Sequence, residues 1–146
     1  IMENYMRKFR LLLLFFLVAI LSCPAYAAIT VDGTIPRTYP DFAYPVQDFA
    51  AAVEQGKVIV IDVRAEKAFA KRRLTESKNL PYAKRKGWIP ELEGGLTYVF
   101  ICDEGDLAEK VVREIRRERP EIKDSVFYLD AEIAFQKNGD VYIEAN

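Results

Sequence analysis

Leu96-Thr97-Tyr98-Val99-Phe100-Ile101-Cys102 is an apolar, β-branched and aromatic run that ends on a cysteine. Its length and composition predict a strand buried on both faces. Asp103-Glu104-Gly105-Asp106 follows as a short acidic turn, and residues 107–119 then repeat apolar positions at helical spacing (Val111, Val112, Ile115) before Pro120 ends the pattern. Strand, tight turn and helix in this order place Cys102 before a helix N-terminus. Free backbone N–H groups and the positive end of the helix dipole stabilise a thiolate or an anion there.

A second apolar run lies upstream, Val58-Ile59-Val60-Ile61-Asp62-Val63, and predicts a second buried strand. Pro45 opens a short helical pattern with Val46, Phe49, Ala50 and Val53 on one face, stopped by Gly56. Residues 65–71 read as a helical turn, Leu80-Pro81 as a brief strand or bend, and Trp88, Ile89 and Leu92 as core cover on a loop or short helix. Residues 126–129 read as a third strand, 131–137 as a last turn of helix, and 141–143 as a possible last strand. Strands alternating with helices predict an α/β domain with a central, mainly parallel sheet and helices on both faces. Sites on such sheets lie beyond the carboxyl ends of the strands, which singles out Asp62-Val63-Arg64 and the Cys102 loop.

The amino terminus reads as an address. Arg7, Lys8 and Arg10 precede the uncharged apolar stretch 11–21, and Ala25-Tyr26-Ala27 forms a cleavage site, with Met6 the natural start. The apolar stretch is short for a bilayer span, which weighs against an uncleaved anchor. Pro24 after Cys23 fits a lipoprotein signal poorly. The expected organisation is a leader over 1–27, an extended lead-in over 28–44 and one domain over 45–146. The mature chain is expected in the periplasm or secreted, without stable membrane association. Cleavage would remove Cys23 and leave Cys102 as a lone thiol, either inert in the core or reactive.

The balance of 21 basic to 22 acidic residues would become 18 to 21 after cleavage, a mild acidity that offers nothing to nucleic acid. The chain has no histidine, hence no Cys-His pair and no Cys/His cluster for zinc; no metal or cofactor is expected. Lys71-Arg72-Arg73 and Lys84-Arg85-Lys86 are short basic runs of the kind that mostly decorate a surface, though they could draw anions to the loop if the fold brings them to its rim.

Taken in order, these segments resemble the rhodanese-like (sulfurtransferase) domain. Ile61-Asp62-Val63-Arg64 is similar to its Asp-Val-Arg motif. Phe69 and residues 72–81 fall on the segment usually read Gly-His-Ile-Pro-Gly-Ala-x-Asn-Ile-Pro. Cys102-Asp103-Glu104-Gly105 falls on its Cys-x-x-Gly, and Tyr128-Leu129-Asp130 on the start of its Leu-x-Gly-Gly. The resemblance implies a catalytic Cys102 that carries sulfane sulfur as a persulfide between a small sulfur-containing donor and a thiol acceptor. The backbone N–H groups of Asp103, Glu104, Gly105, Asp106 and Leu107 would hold the anionic sulfur, with Asp62 and Arg64 as structural ties. The alternative is a non-catalytic module that binds a protein partner. Departures are plain: Arg72-Arg73 replaces Gly-His, Ala131-Glu132 replaces Gly-Gly, and Phe135 or Gln136 replaces a tryptophan. Leu107 and Ala108 stand where sulfurtransferases and the related phosphatases carry arginine.

The acidic loop predicts opposition to thiolates and anionic donors. At an effective dielectric of ~20 and a separation of about 6–8 Å, each of Asp103, Glu104 and Asp106 would cost on the order of 2 kcal/mol before screening. Asp106-x-x-Glu109 also has capping-box spacing.

Overall fold

The computed structural model describes residues 26–33, 38 and 40–146. The leader expected over 1–27 falls, apart from its last two residues, outside the described residues.

The two apolar runs form adjacent parallel strands, β2 (Ile59–Asp62) and β4 (Tyr98–Ile101), in the register Ile59↔Tyr98 to Asp62↔Ile101. With β3 (Lys78–Asn79) and β5 (Val126–Tyr128) they make an all-parallel sheet of order β3-β2-β4-β5. Between the strands lie helices α1 (Val46–Glu54, ahead of β2), α2 (Glu66–Lys71), the single turn α3 (Arg85–Trp88) and α4 (Asp106–Glu118).

The strands are continuous apolar runs because both faces are covered. Ile61, Val63, Phe100 and Cys102 pack with Val111, Val112 and Ile115 of α4 and with Ile89. Trp88 stacks on Phe100, with centroids 6.1 Å apart, and its indole N–H donates to the Pro81 carbonyl at 3.0 Å. On the opposite face Val60, Val99, Ile101 and Leu129 meet Val46, Phe49 and Val53 of α1.

A second sheet shares that opposite face. It has the order β1-β7-β6, from β1 (Ile29–Asp32), β7 (Val141–Ala145) and β6 (Ala131–Phe135). β1 runs parallel to β7, and β6 antiparallel to it. This corrects the helix expected over 131–137. Ala131, Ile133 and Phe135 are buried while Glu132 and Ala134 are exposed, the alternation of a strand with one wet face. Turn residues Lys137 and Asn138 lead to Gly139 at φ +92°, which closes the hairpin. β1 falls inside the 28–44 lead-in and its extended chain is a strand of this sheet. The brief strand anticipated at Leu80-Pro81 is β3, just before it.

Candidate functional site

Three strand ends converge at one edge of the parallel sheet. The Val63 N–H donates to the Ile101 carbonyl at 3.0 Å and the Leu129 N–H to the Phe100 carbonyl at 3.0 Å, so Asp62-Val63-Arg64, Cys102 and Leu129-Asp130 sit side by side. Beyond Cys102 the chain turns sharply. Gly105 adopts φ +86° and is the N-cap of α4, with its carbonyl accepting from the Glu109 N–H at 2.9 Å. A side chain here would lie 3.1 Å from the Leu129 carbonyl oxygen, so both conformation and space require glycine.

The turn brings the backbone of Ala108, Glu104, Leu107 and Gly105 close enough to the Cys102 sulfur to favour its anion. The thiol itself is enclosed, with Cys102 only 2% exposed. Burial pushes the thiol above its ordinary range, and these backbone groups offset part of that lift. Burial, not the loop carboxylates, is the leading cause of that lift. Two of the three loop carboxylates are exposed and ion-paired. Asp103 lies 3.4 Å from Arg64 with a side chain 65% exposed, and Asp106 lies 3.8 Å from Lys110 with one 60% exposed. In water, the Asp103 charge so placed is screened from a sulfur under the loop, whereas Asp106 also reaches the sulfur itself. Glu104 is exposed and has no cationic partner among the described residues.

Asp106 does not cap α4; it is the first helical residue, and no side chain caps that end. Its Oδ1 instead lies 3.9 Å from Cys102 Sγ, within reach of the S–H as acceptor. In a chain without histidine this carboxylate is the side-chain acceptor at the thiol.

Arg64 ties the parts together. It is buried beside the fully buried Asp62, donating from Nε to both carboxylate oxygens at 3.0 and 3.1 Å and from an η nitrogen at 2.7 Å. The guanidinium also donates to the Arg72 carbonyl at 2.7 Å, approaches Asp103, and lies 3.5 Å from the centroid of the Phe135 ring. A planar cation with a fork of donors fits this position, where lysine would satisfy fewer partners. Asn79 completes the corner by donating to the carbonyls of Asp62 and Arg64, at 2.9 Å each.

The sequence reading missed the second sheet's part in the site. The Ile133 N–H of β6 donates to the Asp103 carbonyl at 2.7 Å, and Asn146 Nδ2 donates to the Glu104 carbonyl at 3.3 Å. A cavity of about 370 Å³ beside the loop is lined by Asp103, Glu104, Asp32, Glu132, Glu144 and the exposed Tyr142, among others. Asp32, Glu132 and Glu144 lie on three different strands, so no local motif announces them. The signal available was the alternation in residues 131–135 and 141–145, which puts the glutamates on the wet face.

The basic runs are mostly committed elsewhere. Lys84 pairs with Glu66 at 2.5 Å and Arg85 with Glu114 at 2.5 Å, while Arg73 sits over Phe69. Among the described residues no group of three or more His, Cys, Asp or Glu side chains could hold a metal, and no helix is long and apolar enough to cross a membrane.

The order of parts and the glycine-turned cysteine loop agree with a family profile, the rhodanese-like domain, which matches residues 45–133. The chain belongs to the rhodanese-like domain family. Solved structures with related folds include a rhodanese-related protein from Thermoplasma volcanium, 17% identical with a TM-score of 0.51, the match covering 59% of this chain and 80% of that one. A single-domain sulfurtransferase from Saccharomyces cerevisiae is 14% identical with a TM-score of 0.49, over 75% of this chain and 87% of its own. At 17% identity the likeness to the Thermoplasma volcanium protein concerns the fold alone. No curated protein matches the chain.

Proposed function

We propose that this rhodanese-like protein carries sulfane sulfur as a persulfide on Cys102, outside the cytoplasm, after loss of residues 1–27. The observation that carries this reading is the seat of Cys102 at a strand end beneath the Gly105 turn and the start of α4, whose backbone groups hold its thiol down against burial. Such a cradle favours sulfur anions without any particular side chain. The S–H proton passes to an acceptor, for which Asp106 is placed. The thiolate then attacks the sulfane sulfur of a small donor and forms a new S–S bond. The donor's own bond to that sulfur breaks, and its leaving group departs with the electron pair. An acceptor thiolate next attacks the outer sulfur, the Cys102 S–S bond breaks, and the Cys102 thiolate returns. No outside oxidant is needed.

The surroundings favour a donor of low negative charge. Asp32, Glu104, Glu132 and Glu144 line the cavity beside the loop, and Leu107 supplies no cation. Polysulfide in its protonated forms or a neutral organic persulfide suits this field better than thiosulfate does. A second reading is a binding module without turnover, favoured by the 2% exposure of Cys102.

Mass spectrometry of the purified protein after polysulfide and, separately, thiosulfate tests both. A gain of one sulfur atom on wild type, absent in Cys102→Ser and larger with polysulfide, is the expected result. No gain from either donor, with the fold intact, replaces the enzyme by the binding module. N-terminal sequencing of the exported protein checks the start at Ala28; an intact leader in the membrane fraction would reject export in soluble form.

A further inference from the structure

Where β1 begins, two carboxylates face consecutive backbone nitrogens. The Ala27 N–H donates to Glu76 Oε1 at 2.9 Å, and the Ala28 N–H donates to Asp140 Oδ1 at 2.8 Å. The Ala28 carbonyl accepts from the Val141 N–H at 3.0 Å, next to the register pair Ile29↔Val141 that opens the β1–β7 ladder. Asp140 is held in place by its own turn. Its Oδ2 accepts from Asn138 Nδ2 at 2.7 Å, and its N–H donates to Asn138 Oδ1 at 3.2 Å. Glu76 approaches from the segment before β3, and its Oε2 is buried without a hydrogen-bond partner. A cavity of about 300 Å³ surrounds this stretch; Glu54 and Glu76 line it, and among the described residues no lysine or arginine does. Among the described residues, the charged groups facing the stretch are thus Glu54, Glu76 and Asp140, all acidic.

A neutral amide needs no such company. We propose that Asp140, with Glu76 behind it, is a receptor for the α-ammonium of Ala28 that leader removal creates. This rests on the reading of residues 1–27 as a cleaved leader. Hydrolysis of the Ala27–Ala28 amide by a leader peptidase consumes one water. The carboxylate stays on the leader, and the new α-amine takes up a proton near neutral pH. One N–H becomes three, and the bond to Asp140 becomes charge-assisted. Glu76 loses the Ala27 N–H with the leader, so both its oxygens are left to find donors beside the new cation. Processing thereby turns a neutral contact into an ion pair at the point where β1 joins β7. The far side of β7 carries β6, whose Ile133 N–H braces the cysteine loop.

The test uses the chain beginning at Ala28, which holds every strand and helix described above, with a free amine or with Ala28 acetylated. Acetylation keeps the N–H but removes the charge. In the free-amine chain, NMR titration of the Ala28 methyl should give a pKa about half to one unit above the ordinary ~7.7–8.0. Its thermal midpoint at pH 6.5 should exceed that of the acetylated chain by roughly 2–4 °C. The folded pKa is raised, so this advantage is full below the unfolded pKa and fades as pH rises through the folded one. Asp140→Asn should abolish both effects, and Glu76→Gln should take away part of the pKa lift. An ordinary pKa that ignores Asp140→Asn, or equal midpoints for the two wild-type chains, overturns the receptor. A natural terminus other than Ala28 overturns the leader reading instead, and N-terminal sequencing reads that separately.

Discussion

The parallel sheet β3-β2-β4-β5 is covered on both faces, whereas the mixed sheet β1-β7-β6 keeps one face in water. The first carries the candidate site, since Asp62, Arg64 and Cys102 all stand at its strand ends. The second restrains it, through the Ile133 and Asn146 bonds to the loop and the Phe135 ring against Arg64. A loop held from two sides differs from a loop merely perched on a helix. Its backbone carbonyls are engaged while the turn itself stays close to the sulfur.

The sharpest way to break this division is at the residue both sheets share. Arg64→Ala leaves Asp62 buried and unpaired, and should cost about 3–5 kcal/mol in denaturant unfolding. Arg64→Lys should recover only part of this, because it lacks the fork and the flat stack on Phe135. A loss below ~1 kcal/mol for Arg64→Ala would mean that the two sheets do not meet through it.

Next comes a comparison of cores. Ile143 of β7 is 1% exposed in the same apolar cluster as Val99 and Ile101. Ile143→Ala should therefore destabilise by about 2–5 kcal/mol, in one transition with the rest. Two resolved unfolding steps would recast the mixed sheet as an attachment. Gly105→Ala should cost a further ~1–3 kcal/mol, because φ +86° is strained for alanine and the new methyl meets the Leu129 carbonyl. It should also slow sulfur loading more than Ile143→Ala does at matched stability, since it tilts the N–H cradle.

The smallest effects concern charge and proton. With Asp103 and Asp106 paired, Glu104→Gln should raise thiosulfate-to-cyanide transfer by only about 2–5-fold, and Leu107→Arg by about 5–30-fold. No Cys102-dependent transfer in any variant would leave the mixed sheet restraining a loop that does no chemistry. Because burial raises the Cys102 thiol, its alkylation rate should still be climbing beyond the ordinary thiol range, with the thiolate favoured only as pH rises further. A plateau below that range would show a thiolate held by the cradle against burial.

Legibility in the sequence tracks the same contrast. Residues 58–63 and 98–102 advertise strands because every side chain but Asp62 is apolar, and Gly105 announces the turn. Residues 131–135 say less. Ala and Glu are good helix formers, and Ala134 on the wet face blurs the alternation, so a helix was the natural expectation. β1 is only Ile29 to Asp32, and its partner lies over a hundred residues away, beyond the reach of local pattern. The loop's place in the site was readable as strand, glycine and helix start. Its screening was only half readable: Lys110 is an i, i+4 neighbour of Asp106, but Arg64 reaches Asp103 only through the fold.

The parallel pairing of β1 with β7 also sets how this chain would answer to force. Among the described residues the first and last strands point the same way, so tension applied before β1 and after β7 slides one along the other. Four register pairs, Ile29↔Val141 to Asp32↔Glu144, then bear the load together as a lap joint does, instead of opening one after another like a zipper. Pulling single molecules from both ends should give one abrupt, high-force rupture. A protease or translocase that tugs from either end would meet this joint before it reached the strand that carries Cys102.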